Sequence, residues 1–167
     1  HAANVATFQS PWWGPLGAVD GDRVIFRRAQ LGRQTFLPHS LCKKVDLIKL
    51  VTGSDAAYLD FAVSRGVDGI VVESFGRGNV PPYVIPGIAR ALEKGIIVVN
   101  ATRTGGRVLD EYGYEGGMLQ QHKMGVIMAG ELRAAKARLK LMLILSQYGP
   151  DGRPDPAEVA RYFEHSM

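Results

Sequence analysis

A single cysteine, Cys42, stands among the 167 residues, so no disulfide can close within the chain and no Cys/His set has zinc-binding spacing. We read Cys42 as a structural residue and expect neither metal nor cofactor. No apolar run approaches the roughly 20 residues that a membrane-spanning helix requires, and no low-complexity tract interrupts the chain. A membrane partner is therefore not expected. The net charge is only +4 and the basic residues are dispersed, which argues against a nucleic-acid surface. Their densest set, Arg133, Lys136, Arg138 and Lys140, has the spacing of a solvated helix face. A basic start followed by an apolar segment is also missing, and the chain opens on His1, so we expect a segment to have been removed upstream.

What is present falls into two parts, 1–40 and 41–167. In "GPLGAVDGDRVIFRRAQ" two apolar stretches flank Asp20-Gly21, which predicts a β-hairpin over residues 15–29, preceded by an extended linker. From Lys44 onward strand and helix patterns alternate. "VDLIKLVTG", "VDGIVVESF", "IIVVNAT" and "VIMAGE" read as strands. The first helix is expected to be capped by Ser54 and to bury Tyr58, Phe61 and Ala62. The second starts near Tyr83, which puts Pro86 in its first turn, and carries Ile85, Ile88 and Leu92 on one side. "LRAAKARLKLMLILSQYG" predicts a helix with a stripe of Ala135, Leu139, Met142 and Leu143, and "DPAEVARYFEHSM" a closing helix. Four strands alternating with helices predict an α/β domain: a small doubly wound, parallel four-stranded sheet of Rossmann- or flavodoxin-like type with an N-terminal β-hairpin. Ligands of such sheets gather at the carboxyl ends of the strands.

The loops at that edge hold the candidate residues. "SFGRGNVPP" places Gly76, Arg77, Gly78 and Asn79 after the second strand, but Pro81 stands where a dinucleotide fingerprint needs its third glycine. What remains is a tight turn displaying Asn79, whose amide either satisfies its own loop or meets a ligand. "EYGYEGG" sets Glu115 in a long connection, as a solvated carboxylate or as an acceptor for a ligand ammonium. "TRTGGR" offers Thr102 and Thr104 as hydroxyls in a turn, yet no base adjoins them in sequence. His122 reads as a surface residue in "QQHKMG"; His39 and His165 lie in a linker and a tail, so no catalytic triad assembles from these residues.

The segments "NVATFQSPWWGPLGAVDGDRVIF", "DGIVVESFGRGNVPP", "GIIVVNATRTGGRV", "YGYEGG" and "AGELRAAKARLKLML" together resemble, in order and spacing, the C-terminal domain of the bacterial-type L-asparaginases, the asparaginase/glutaminase family. The resemblance runs from about Asn4 to Tyr148. It implies cofactor-free hydrolysis of L-asparagine, and sometimes glutamine, to the acid and ammonia. The family's threonine nucleophile belongs to a larger N-terminal domain whose motifs are not in this sequence; "TGG" at Thr104 to Gly106 does not take that role. By the resemblance, Gly78 and Asn79 hold substrate at a neighbouring subunit's active site, and Glu115 stands near its ammonium. The implied partners are the N-terminal domain, copies of the chain in a dimer or tetramer, and L-asparagine or L-aspartate. The expected location is cytoplasmic, with periplasmic as the alternative. Other readings are a non-catalytic amino-acid-binding module and part of a tRNA-dependent amidotransferase.

Overall fold

Side chains of successive strand residues point to opposite faces of a sheet, so a strand apolar at every position must be covered on both. The computed structural model describes residues 3–7, 9–10, 13–29 and 32–164; His1 and His165 lie outside them. The chain forms two compact units, His1–Thr35 and Phe36–Met167. In the first, β1 (Gly17–Asp20) and β2 (Arg23–Phe26) pair antiparallel, with Gly17 opposite Phe26 and Asp20 opposite Arg23. The expected hairpin is there, but its two turn residues are Gly21 and Asp22, one position later than the sequence reading. Gly21 has φ +61° and Asp22 is not positive, the II′ arrangement that places glycine first. Val5–Thr7 is a short 3-10 turn rather than extended linker, because the Asn4 side chain accepts the Ala6 N–H at 3.0 Å.

The second unit carries β3 (Val45–Lys49), β4 (Gly69–Ser74), β5 (Ile97–Thr102) and β6 (Ile127–Met128), all parallel and ordered as they occur in the chain. Between them run α1 (Ala57–Ser64), α2 (Ile85–Glu93) and α3 (Met118–Met124); α4 (Ala134–Ser146) and α5 (Pro156–Glu164) follow the last strand. Ile70, Val72 and Val98 meet Leu59 of α1, Ile88 of α2 and Met118 of α3. Val71, Ile97 and Val99, one residue out of phase, meet Leu141 of α4 and Phe163 of α5. Both faces are thus covered, the second by helices that return after β6. Since the strand order never reverses, no crevice opens at a topological switch point. The carboxyl edge is shaped by its loops alone.

Four local readings are corrected. Ser54 does not cap α1: its Oγ accepts the Val51 N–H at 2.9 Å, and Asp55 Oδ1 takes the Ala57 N–H at 3.0 Å instead. Within α1, Leu59 and Ala62 are buried while Tyr58 and Phe61 are exposed. The close approach of α2 explains this, since a β-carbon on Gly87 would stand 2.9 Å from Ala56 and 3.1 Å from Leu59. In α4 the buried stripe is Ala134, Ala137, Leu141, Ile144 and Leu145, not the one through Leu139. A helix apolar on most of its circumference admits more than one stripe, and the sheet selects the one with small residues at its start. Nor is its basic set wholly solvated. Arg138 Nε donates to Val45 O at 2.7 Å, and Lys140 Nζ to Tyr162 O at 2.7 Å, with burial lowering the Lys140 pKa.

Leu141 seats against Gly69, where a β-carbon would come within 2.8 Å of its Cδ2. Leu141→Ala is expected to cost about 2–5 kcal/mol and Gly69→Ala about 1–3 kcal/mol in urea unfolding. In the double variant the added methyl occupies space that Leu141 vacates, so the two costs sum to less than their separate values.

Candidate functional site

At the carboxyl edge, β4 delivers Ser74 and β5 delivers Thr102 opposite it. The chain turns at once after β4: the Asn79 N–H returns to Phe75 O at 3.0 Å, and the Phe75 N–H donates to Asn79 O at 2.9 Å. Gly78 sits inside this turn with φ +114°, buried, and a β-carbon there would lie 2.8 Å from Val108 and 3.1 Å from Met118 Sδ. Both its backbone conformation and its surroundings demand glycine. Asn79 follows, half-buried. Its Oδ1 is buried and has no hydrogen-bond partner among the described residues. A buried acceptor left unpaired costs on the order of 1–3 kcal/mol, so the reading in which this amide merely satisfies its own loop does not hold for its oxygen.

The second loop meets the first at the next residue. The Val80 N–H donates to Gly116 O at 2.9 Å, and a β-carbon on Gly116 would stand 2.2 Å from Val80 O. Two backbones this close leave room only for glycine, which accounts for the residue after Glu115. Glu115 is exposed on that turn and lies one residue from the contact; the half-buried Asn79 lies one residue from it on the other side. The turn closes through Gly117 N–H to Tyr114 O at 2.8 Å and Gly116 N–H to Gln120 Oε1 at 2.7 Å. Asn79 and Glu115, far apart in the chain, are therefore neighbours across one hydrogen bond.

Beneath both turns lies a buried amide network that the sequence reading missed. Asn100 Nδ2 donates to Gly78 O at 2.8 Å and to Gln121 Oε1 at 2.7 Å. Gln121 Nε2 donates to Gly78 O at 2.9 Å and to Gly116 O at 3.0 Å. Ser74 Oγ donates to Asn100 Oδ1 at 2.6 Å. Ser74, Asn100 and Gln121 are all fully buried. Asn100 was detectable as the one amide in the apolar run "IIVVNAT". Gln121 was not, because "QQHKMG" reads as polar surface until α3 gives it a helical phase.

The threonines are fasteners of the same turn. Thr102 Oγ1 donates to Gly76 O, and Thr104 Oγ1 contacts the same carbonyl at 3.2 Å while accepting the Gly106 N–H at 3.3 Å. Their hydroxyls are spent on backbone rather than on a general base. His122 is exposed, as expected, and pairs through Nδ1 with Asp110 Oδ2 at 2.7 Å. His39 is exposed in the segment leading to the sheet, and Cys42 is half-buried and unpaired with sulfur. What the edge exposes is a carboxylate, with an amide on the adjoining turn whose oxygen is buried and unpaired; both are acceptors for N–H donors.

Comparison with known proteins places this α/β domain in a class. The Glutaminase/Asparaginase C-terminal domain profile matches residues 44–163, and the chain belongs to that family. Similar proteins include the L-asparaginase of Bacillus licheniformis, 35% identical over 149 residues, covering 89% of this chain and 46% of that protein. The L-asparaginase 2 of Escherichia coli K12 is 28% identical, covering 98% and 46%. A glutamyl-tRNA(Gln) amidotransferase component of Pyrococcus abyssi is 37% identical over 133 residues, covering 78% and 30%. The chain thus spans less than half the length of these relatives. Among the described residues, no helix is long and apolar enough to cross a membrane.

Gly78→Ala is expected to destabilise by on the order of 3 kcal/mol, from left-handed backbone strain and overpacking together. Gly76→Ala, with φ +45° and nothing nearer than Asn79 Nδ2 at 3.8 Å, should cost only about 1 kcal/mol. Urea unfolding of the two variants checks the order.

Proposed function

We propose that the chain supplies the substrate-holding half of an asparaginase-type amidohydrolase, with Asn79, Gly78 and Glu115 gripping the amino-acid end of L-asparagine at a neighbouring subunit's active site. The observation that carries this is the backbone contact Val80 N–H to Gly116 O, which brings together two turns that carry, each one residue before it, an amide with an unpartnered oxygen and an exposed carboxylate. An α-ammonium carries three N–H donors and one positive charge. A carboxylate satisfies the charge, and an amide oxygen takes a further donor. Holding that end fixes the side-chain amide for attack, which is how positioning lowers a barrier without touching the reacting bond.

The attacking hydroxyl comes from the companion N-terminal domain. It adds to the amide carbon, ammonia leaves with a transferred proton, and water releases L-aspartate from the acyl ester. The chain alone is inactive on this reading, because Thr102 and Thr104 are bound to Gly76 O. Its partners are that domain and further copies of itself. Exposed Leu47, Val51, Tyr58, Phe61 and Tyr83 on the second unit support such association. The 34–37% identity to amidotransferase components of Pyrococcus supports a second reading, in which the same grip serves a tRNA-dependent enzyme. Ammonia release that needs tRNA and a second protein component distinguishes it.

The purified chain is expected to release no ammonia from L-asparagine, and activity is expected once the companion domain is joined to it. In that joined enzyme Glu115→Gln should raise KM by about ten- to a hundredfold with a smaller change in kcat, since one charge-assisted bond is worth about 1.5–3 kcal/mol. Turnover by the chain alone, or an unchanged KM, refutes the division of labour. On gel filtration the 18.2 kDa chain is expected to run as a dimer or larger; a strictly monomeric elution counts against self-association.

A further inference from the structure

We infer that Asn100 and Gln121 are positioning residues that lock the Asn79 turn and the Glu115 turn into one rigid unit. The inference rests on the amino-acid-binding reading above for what the unit is for; the lock itself is independent of it. Neither residue touches the exposed edge. Asn100 acts through the carbonyl of Gly78 and Gln121 through those of Gly78 and Gly116, each carbonyl belonging to the backbone neighbour of Asn79 or Glu115.

The donor count makes the lock specific. A primary amide has two N–H groups, and each of these two side chains spends both: Asn100 on Gly78 O and Gln121 Oε1, Gln121 on Gly78 O and Gly116 O, with Gly117 O a longer third contact at 3.4 Å. Gly78 O has two lone pairs and receives one donor from each amide. Ser74 Oγ lies 2.6 Å from Asn100 Oδ1 and 3.1 Å from Ala101 O, and could serve either orientation of the amide, so it is the Gly78 carbonyl, an acceptor only, that sets which way Asn100 faces. Reversing either amide places N–H against N–H or oxygen against carbonyl. One orientation is therefore enforced from β4 and β5 outward to both turns. Buried networks that are fully satisfied rigidify, and partial loss leaves several groups unpaired at once.

The geometry also explains why the unit joins these loops and no others. Asn100 lies on β5 beside Val72 of β4, so it is anchored in the central pair of strands. Gln121 lies on α3, directly after the Glu115 turn. The network therefore bridges a rigid sheet to a loop that has no strand of its own. Without it, the Val80 N–H to Gly116 O bond would be the direct tie between the two turns, with only the Leu109 N–H to Arg77 O bond and the exposed Arg77–Glu111 pair joining the first turn to the rest of that connection.

The test uses the 167-residue chain, labelled with ¹⁵N, as wild type, Gln121→Met and Gln121→Glu. The methionine variant keeps length without hydrogen bonds; the glutamate variant keeps the acceptor for Asn100 but has no N–H. Val159→Ala, in the cluster on the opposite sheet face, serves as a control that destabilises without touching the network. Amide exchange at Val80 and Gly117 is expected to rise about tenfold or more in both Gln121 variants relative to the control, with Val71 and Val98 following global stability. The initial slope of the Asn79 and Glu115 amide shifts against L-aspartate should fall to about a third or less of wild type, while the control stays within about twofold. Unaltered exchange at Val80 overturns the lock. Faster exchange with an unaltered L-aspartate slope overturns the positioning role. If wild-type Asn79 and Glu115 do not respond to L-aspartate, the amino-acid reading fails and the positioning role with it, while exchange still reports the lock.

Discussion

The Gly78 carbonyl accepts two side-chain amides, and the whole carboxyl edge depends on that double acceptance. Gly78 adopts φ +114° inside a turn closed by Phe75 and Asn79, and it is hemmed by Val108 and Met118. Such a backbone, left to itself, would have alternatives of similar energy. Two buried donors aimed at one oxygen remove them, because any other path of the turn strands both N–H groups without water. Asn79 then follows in a fixed place, and its Oδ1 remains the acceptor that the network does not reach.

This arrangement compensates for something the sheet lacks. In an α/β sheet whose strand order reverses, two helices diverge and open a crevice between adjacent strand ends. Here the order is β3-β4-β5-β6, each crossover stepping the same way, so the strand ends present a continuous rim. Any concavity has to be built by loops, and loops are ordinarily the least rigid part of a domain. The amides of Asn100 and Gln121, together with the threonine hydroxyls on Gly76 O, transfer the stiffness of the central strands to that rim. Rigidity is thus imported by side chains rather than inherited from topology.

The architecture was legible because it rests on period and punctuation. Runs such as "GIVVES" and "IIVVNAT" with no polar alternation can only be strands covered twice, and the glycines and prolines between them leave little choice of boundary. Helix phase was less legible, and for a physical reason. In "AYLDFAVS" the aromatic residues look like the natural core, yet Leu59 and Ala62 are buried, since the neighbouring helix approaches at a glycine and bulky rings do not fit there. That information lies in Gly87, on the next helix along the chain. In α4 apolar residues lie on more than one face despite Lys136, Arg138 and Lys140, and the sheet decides which is buried. At the site, Asn79 and Glu115 could be singled out from glycine-rich loops, but their adjacency is a tertiary fact carried by Val80 and Gly116. Gln121 was illegible for the opposite reason: its neighbours in "QQHKMG" are polar, so composition hides the one that α3 turns inward.

On the reading proposed here catalysis is divided between domains, and the chemical character of the edge gives a reason for such a division. A group that attacks a carbonyl needs a base beside it and freedom to move through an acylation cycle, whereas a group that recognises a charged end works best when it cannot move. The same turn cannot easily serve both demands. On the reading proposed here, the Asn100–Gln121 lock commits this edge to recognition, and it does so at the cost of the hydroxyls around it: Ser74 is bound to an amide, and Thr102 and Thr104 to a carbonyl. Freeing one of them to act as a nucleophile would loosen the turn that places Asn79. On the proposed reading, a reactive hydroxyl on a different domain removes that conflict and makes activity conditional on assembly, because neither the grip nor the attacking group suffices alone.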